Sequence, residues 1–334
     1  MKDGPVEQAR HPVGGVDYPR TLEEFDAWFS TEEGCARYLE RLRWPRGFCC
    51  PRCGGTTVWR TARRLMHCGG CGRQTSLIAG TLFEGTRKPL RTWFQAMWYV
   101  TSQKSGMSAL GLKRVLGLGS YRTAWTWMHK LRRAMVRPGR DLLSGRVEVD
   151  ESYVGGEDEG ADGRHTEKKA LVVIAIEVHD PKGFGRVRLR QIADASGPSL
   201  TPFVQDVVAP GSTVVTDGWP GYGRLEKLGY SHERRILWGS GQAAHVLLPG
   251  PHRIASLLKR WLLGTHQGAV SREHLDYYLD EYTFRFNRRT SQAPGLLFHR
   301  LVEQAVRTDP VPFARIAQGT GRGVRRGEDG IEGA

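Results

Sequence analysis

Two C-x2-C pairs set the tightest limit on how this chain can fold. Cys50 and Cys53 are followed, after 14 intervening residues, by Cys68 and Cys71. Glycines beside each pair, in CPRCGG and CGGCG, permit the positive backbone angles of a tight knuckle. Two such knuckles bring four thiolates into a tetrahedron that encloses Zn2+ and leaves no position open for chemistry. The alternatives are a disulfide framework or a redox dithiol. The first belongs to an oxidising compartment, and the second has no need of a second knuckle. A structural zinc ribbon is therefore expected over residues 48–85, with Cys50, Cys53, Cys68 and Cys71 as ligands. Cys49 and His67, each beside a knuckle residue, are the competing ligands, and Cys35 is expected in a small helical core.

The rest of the chain must provide other cores, because 334 residues suffice for about two or three domains. Forty-nine Lys and Arg against 35 Asp and Glu leave a net charge of +14. Such an excess suits a polyanionic partner, of which nucleic acid is the commonest. An anionic membrane surface is the competitor, but no basic amphipathic anchor stands out. No apolar run reaches the length of about 18 residues needed to cross a bilayer. The opening MKDGPVEQARHPVGG lacks the apolar centre of a secretory signal, so an intracellular protein is expected.

Residues 1–20 read as unstructured, and residues 21–47 as two short helices, Ser30 with Glu33 forming a capping box before the second. Residues 86–140 are helical, rich in aromatic and basic residues. Within them, GMSALGLKRVLGLGSYRTAWTWMHKLRRAM has the outline of a helix-turn-helix: a first helix over 108–115, a GLG turn, and a second helix from Ser120. Arg122, Thr123, Thr126, His129 and Lys130 fall on the polar side of that second helix, which fits a major groove. An ordinary helical hairpin with a basic exterior is the other reading. From Val147 the texture changes to strands, in RVEVDESYVGG, KALVVIAIEVHD, RVRLRQIAD and STVVTDG, then to helices over 252–263, 271–286 and 292–306. Strands followed by helices indicate an α/β domain, expected over 141–308. The Gly-rich tail, 309–334, is expected to be disordered.

Two acids stand at expected strand ends, Asp150 in VEVDESYVGG and Asp217 in TVVTDGWPGY. Alternation sends Val147 and Val149 to one face and Glu148, Asp150 and Ser152 to the other, so Glu151 points away from Asp150. Two such Asp residues in one sheet can converge on a divalent metal; each alone also reads as a turn former. His252 lies 35 positions after Asp217, and Lys259 seven after that, about two helical turns. By itself PHRIASLLKRW also reads as a solvated basic face with a His near its cap.

The order of these parts resembles the insertion-sequence transposases that carry a zinc ribbon and a helix-turn-helix before a ribonuclease H-like, DDE-type catalytic domain, the ISXO2-like transposases. The stretches that match are CPRCGG…CGGCGRQTSLIAGTLFEGTRKPL, VEVDESYVGG, TDGWPGY, SLLKRWLLGTH and YLDEYTFRFNRR, in that order from about residue 20 to 305. The resemblance implies a mixed sheet with flanking helices, and DNA cleavage with strand transfer at the ends of a mobile element. It implies that Asp150 and Asp217 hold Mg2+ or Mn2+ and that His252 takes the third position, usually an acid, with Glu281 as the alternative. Lys259 and Arg260 would contact the DNA backbone, and Arg122 and Lys130 would contact DNA from the connector. Terminal inverted repeats and target DNA are the implied partners of a homo-oligomer in the bacterial cytoplasm, at the nucleoid. Imidazole suits Mn2+ better than Mg2+, so His252 could ligate directly, act through water or orient the nucleophile. Arg285, Arg288 and Arg289 in YLDEYTFRFNRR could meet phosphates or form the solvated end of a packed helix. A DNA-binding regulator without chemistry, and a transposase that binds but does not cut, are the rival functions.

Overall fold

The computed structural model describes residues 11–319 apart from 138, 156–168, 180, 182 and 237–243. Residues 1–10 and 320–334, where disorder was expected, lie outside the described residues. The chain divides into two units, Met1–Ala134 with Ser291–Val311, and Met135–Thr290 with Pro312–Ala334.

The first unit opens with two capped helices. Thr21 accepts the Glu24 N–H at 3.1 Å to start α1 (Leu22–Trp28), and Thr31 accepts the Gly34 N–H at 3.1 Å to start α2 (Glu32–Arg43). The Ser30–Glu33 box is not formed, because Thr31 supplies the cap and Glu33 pairs with Arg64 at 2.5 Å. Three short antiparallel strands follow, β1 (Val58–Arg60), β2 (Met66–Cys68) and β3 (Gln74–Thr75). Next come α3 (Leu90–Ser102), α4 (Ala109–Val115) and α5 (Tyr121–Ala134). Pro89 cannot cap α3 with its side chain; Glu32 does so from α2, accepting the Leu90 and Arg91 N–H groups at 2.7 and 3.2 Å.

The second unit is a five-stranded mixed sheet. Its elements are β4 (Arg146–Val154), β5 (Ala170–Val178), β6 (Phe184–Ile192), α6 (Gly197–Val207), β7 (Thr213–Thr216) and β8 (Ser231–Arg234). They are followed by α7 (Ala244–Leu247), α8 (Pro249–His266) and α9 (Leu275–Phe286). The strand order is β6-β5-β4-β7-β8, antiparallel through the first three, with β7 parallel to β4 and β8 parallel to β7. This is the mixed α/β sheet with flanking helices expected of a ribonuclease H-like fold. The apolar run of β5 is buried on both sides, as an inner strand requires. One sheet face, with Val147, Val149, Val173 and Val214, packs on Leu200, Phe203, Val204 and Val207 of α6. The other, with Val172, Ile174, Ile176 and Leu189, packs on Ile254, Leu258 and Leu262 of α8 and on Leu275 and Leu279 of α9. The amide of Asn287 covers the edge of β6, accepting the Val187 N–H at 2.7 Å and donating to its carbonyl at 3.2 Å.

Helix α10 (Pro294–Ala305) then returns to the first unit, whereas its sequence position suggested the α/β domain. Its Phe298 lies 5.4–6.0 Å, ring to ring, from Phe25, Phe29, Tyr38, Phe94 and Trp98, completing an aromatic core. The contacts with Phe25 and Phe94 are edge-on, a geometry that adds about 0.5–1.5 kcal/mol each beyond simple burial. Amphipathic spacing foretells a buried face but not which partner buries it. Residues 13–20, expected without structure, pack onto the same helix. Tyr18 is buried against His299, and a Cβ on Gly295 would stand 1.7 Å from the Pro19 carbonyl oxygen. A short α11 (Phe313–Ala317) belongs to the second unit, where the Ile316 carbonyl lies 3.0 Å from Nε2 of His274.

Candidate active site

Asp150 is the fifth of nine residues in β4 rather than its last, because Glu151–Val154 continue the ladder with β5. Its side chain leaves the strand on the α8 face, alongside Glu148 and opposite Ile174 of β5. Strands β4 and β7 pair in parallel as Arg146↔Thr213, Val147↔Val214 and Glu148↔Val215. This ladder ends at Glu148↔Val215, so Asp150 and Asp217 each follow its last pair by two residues. Asp217 is the first residue past β7, as expected. Its Oδ1 accepts the Trp219 N–H at 2.9 Å, and Gly218, at φ +87°, permits the sharp exit. Oδ1 of Asp150 accepts the N–H of Glu151 at 2.8 Å.

Tyr222, from the same TDGWPGY stretch, is fully buried on the α6 side of the sheet, and its hydroxyl donates to Oε2 of Glu151 at 2.9 Å. Glu151 thus faces away from Asp150, as alternation required. Burial first, then the charges of Glu151, Asp150 and Asp217, holds the Tyr222 phenol well above its ordinary pKa and keeps it a neutral donor. That both Asp residues act on one phenol places them in a common neighbourhood.

The third side chain comes from α8. Pro249 and Gly250 open that helix, and Oε2 of Glu148 accepts the Gly250 N–H at 2.8 Å. A charge-assisted bond of this type contributes about 1.5–3 kcal/mol. Glu148 is only 2% exposed; burial raises its pKa, and the Gly250 N–H, then Arg235 and Arg146, pull it back. Two residues on, Nε2 of His252 stands 3.5 Å from Oδ2 of Asp150, with the imidazole 39% exposed and the carboxylate 16%. His252 and Asp150 are thus brought together. Among the described residues, the sets of three or more metal-binding groups whose ligand atoms all lie within 4.8 Å reduce to the four cysteines. Lys259 and Arg260 are exposed on α8, and desolvation, then the charge of Lys169, lowers the Lys259 pKa. Glu281 is fully buried on α9, its Oε1 taking Nε and Nη2 of Arg285 at 2.9 and 2.7 Å. Arg288 and Arg289 lie over the rings of Phe284 and Phe286, each at 4.1 Å.

In the ribbon, Sγ of Cys50 lies 3.6 Å from that of Cys71, and Sγ of Cys53 lies 3.5 Å from that of Cys68. A tetrahedral zinc with bonds of about 2.3 Å spaces its sulfurs by about 3.8 Å, so the four thiols fit Zn2+. The competing groups turn elsewhere: Cys49 is exposed near the Gly54 carbonyl, and His67 stacks on Trp59 at 4.3 Å. Cys35 is fully buried in the helical core, which pushes its thiol up to about 12.

In the connector, Ser108 and Ser120 cap α4 and α5 through the Gly111 and Thr123 N–H groups at 3.0 and 3.1 Å. Arg122 is exposed, whereas Lys130 is half-buried, its pKa lowered by burial and then by Arg133. His129 does not lie on a polar side: it is fully buried, 4.1 Å from the ring of Trp125. Helix α5 packs on α4 and α10, and its Trp127 stacks on Trp93 of α3 at 3.7 Å, so its buried face is wide. Among the described residues no helix is long and apolar enough to cross a membrane.

Residues 30–74 match the transposase zinc-ribbon domain, and residues 142–287 match the ISXO2-like transposase domain. Over 291 residues the chain is 27% identical to the uncharacterized protein in transposable element ISH50 of Halobacterium salinarum, covering 80% of this chain and 94% of that one.

Proposed function

We propose that this chain, a zinc-ribbon transposase of the ISXO2-like family, cuts and joins DNA at the ends of an insertion sequence through Asp150, Asp217 and His252. The observation that supports the reading is Nε2 of His252 at 3.5 Å from Oδ2 of Asp150, with Asp150 and Asp217 each two residues past the last β4–β7 pair. Carboxylate oxygens with one imidazole nitrogen form a donor set that suits Mg2+ or, better, Mn2+. Metal held there would supply an activated water or 3′-hydroxyl and neutralise charge at the scissile phosphate.

The chain's own residues do the rest. The Asx turn to Trp219 fixes the Asp217 carboxylate, and the Glu151 N–H fixes that of Asp150. His252 completes the set or orients the nucleophile. The pairing of Glu281 with Arg285 supports His252 over Glu281 in that role. Lys259 and Arg260 meet the DNA backbone near the cut end, and Arg122 and Lys130 meet it from the connector. The family resemblance supports action as a homo-oligomer on paired ends, at the nucleoid. A regulator that only binds DNA has no use for acids at matched strand positions.

The test is cleavage of a labelled duplex carrying the element's own ends, with Mg2+ and with Mn2+. His252→Ala is expected to lose about tenfold or more with Mg2+ and less with Mn2+, and His252→Glu to recover Mg2+-dependent cutting. Wild-type rates from His252→Ala would remove the residue from the site. A chain that binds these ends but cuts with neither metal would be a binding protein only.

DNA binding is expected to fall steeply with salt, log affinity declining linearly with log salt concentration as phosphate counterions are released. Arg122→Glu should weaken gel-shift affinity for the ends and flatten that slope. If neither changes, α4 and α5 are a structural hairpin.

A further inference from the structure

Glu148 stands two residues before Asp150 on the same face of β4, yet its carboxylate is buried. A carboxylate persists in such a place only where hydrogen bonds replace water. One comes from Gly250, 102 residues away in sequence, whose N–H Oε2 of Glu148 accepts at 2.8 Å. Gly250 lies in the first turn of the 18-residue α8, where the helix dipole concentrates positive charge. The N-cap residue, Leu248, makes no side-chain cap, and a neighbouring strand supplies an acceptor. The fit is close: a Cβ on Gly250 would lie 2.7 Å from Cγ2 of Ile176 and 2.8 Å from Oε2 of Glu148. The preceding turn is tied as well, because Nη1 of Arg235 donates to the Leu247 carbonyl at 2.8 Å. Arg235 is itself held by Glu233, which pairs with Arg146 of β4 through two bonds of 2.7 Å. His252 follows Gly250 by two residues, so its place at Asp150 depends on where this turn is anchored.

We infer that Glu148 is a positioning residue: its carboxylate clamps the first turn of α8 to β4 through Gly250 and thereby holds His252 against Asp150. The inference rests on the reading of Asp150 and His252 as a metal site, and its test separates the two. The zinc-loaded full chain is compared with Glu148→Leu, Glu148→Gln and Gly250→Ala. The measurements are hydrogen exchange over residues 249–256, affinity for added Mn2+ by electron paramagnetic resonance, and cleavage.

Glu148→Leu should speed exchange in that segment and weaken Mn2+ binding about 10–100-fold, the scale of lost support around a metal ligand. Glu148→Gln retains a carbonyl that can accept the Gly250 N–H, and should stay near wild type in both. Gly250→Ala keeps the carboxylate but forces the helix off it, so it should reproduce the Leu pattern and stands in if Glu148→Leu fails to fold. Faster exchange with unchanged Mn2+ affinity would overturn the inference, leaving a bond that serves stability alone. Unchanged exchange in Glu148→Leu would overturn it too. A wild-type chain that binds Mn2+ but cuts nothing would defeat the cleavage reading, while the exchange and Mn2+ comparison still decides the clamp.

Discussion

Asp150→Asn and Asp217→Asn are each expected to bring cleavage of the element's ends to background while leaving gel-shift affinity for the same duplex unchanged. The loss should be on the order of 10³-fold or more, because deleting one neutral donor to a developing charge already costs about 10²–10³. Asparagine preserves the shape of each side chain and one oxygen. The turn from Asp217 to the Trp219 N–H and the bond from the Glu151 N–H to Asp150 can both persist, so the sheet should fold. What disappears is one negative charge from the two acids that each follow the last β4–β7 pair by two residues. A melting curve matching wild type, beside the lost cleavage, separates chemistry from folding. Full activity in either variant would end the assignment of these acids.

The second large effect concerns the ribbon. Purified chain should carry about one zinc, and Cys53→Ser or Cys68→Ser should bring it close to none. The reason lies in how little else holds these residues. The buried cluster of the ribbon is Phe48, Cys50, Met66 and Cys68, so two of its four members are themselves ligands. Against that small core, a structural zinc supplies about 10–16 kcal/mol of apparent binding free energy. Metal analysis should show the loss, and hydrogen exchange over residues 48–75 should rise sharply, while the sheet unit keeps its protection. Full zinc in both variants would mean that the ligands lie elsewhere.

Features written in short-range spacing were legible in the sequence. The four cysteines announce their site because a knuckle is local. The strand end at Asp217 was legible because Gly218 and Pro220 mark the exit from β7. Alternation alone placed Glu148 and Asp150 on one face and Glu151 on the other. What depends on distant partners was hidden. Strand β8 reads Ser-His-Glu-Arg, polar throughout, and is a strand only because β7 offers it an edge. Asp150 looked terminal because polar residues follow it, although β5 pairs with all of them. His129 looked polar by type and is buried because three neighbouring helices pack around α5. The bond between Glu148 and Gly250 spans 102 positions, and no local pattern reports it.

The return of α10 to the first unit has a consequence for biosynthesis. A ribosome releases the cysteines of the ribbon early, and zinc can close that site while most of the chain is still unmade. The aromatic core of the same unit cannot close then, because Phe298 is translated only after every strand of the sheet. Phe25, Phe29, Tyr38 and Phe94 must wait through the synthesis of the five-stranded sheet for the residue that completes their packing. The aromatic core of the first unit therefore closes only after every strand of the sheet has been made, and a message broken before Pro294 would leave that core without Phe298.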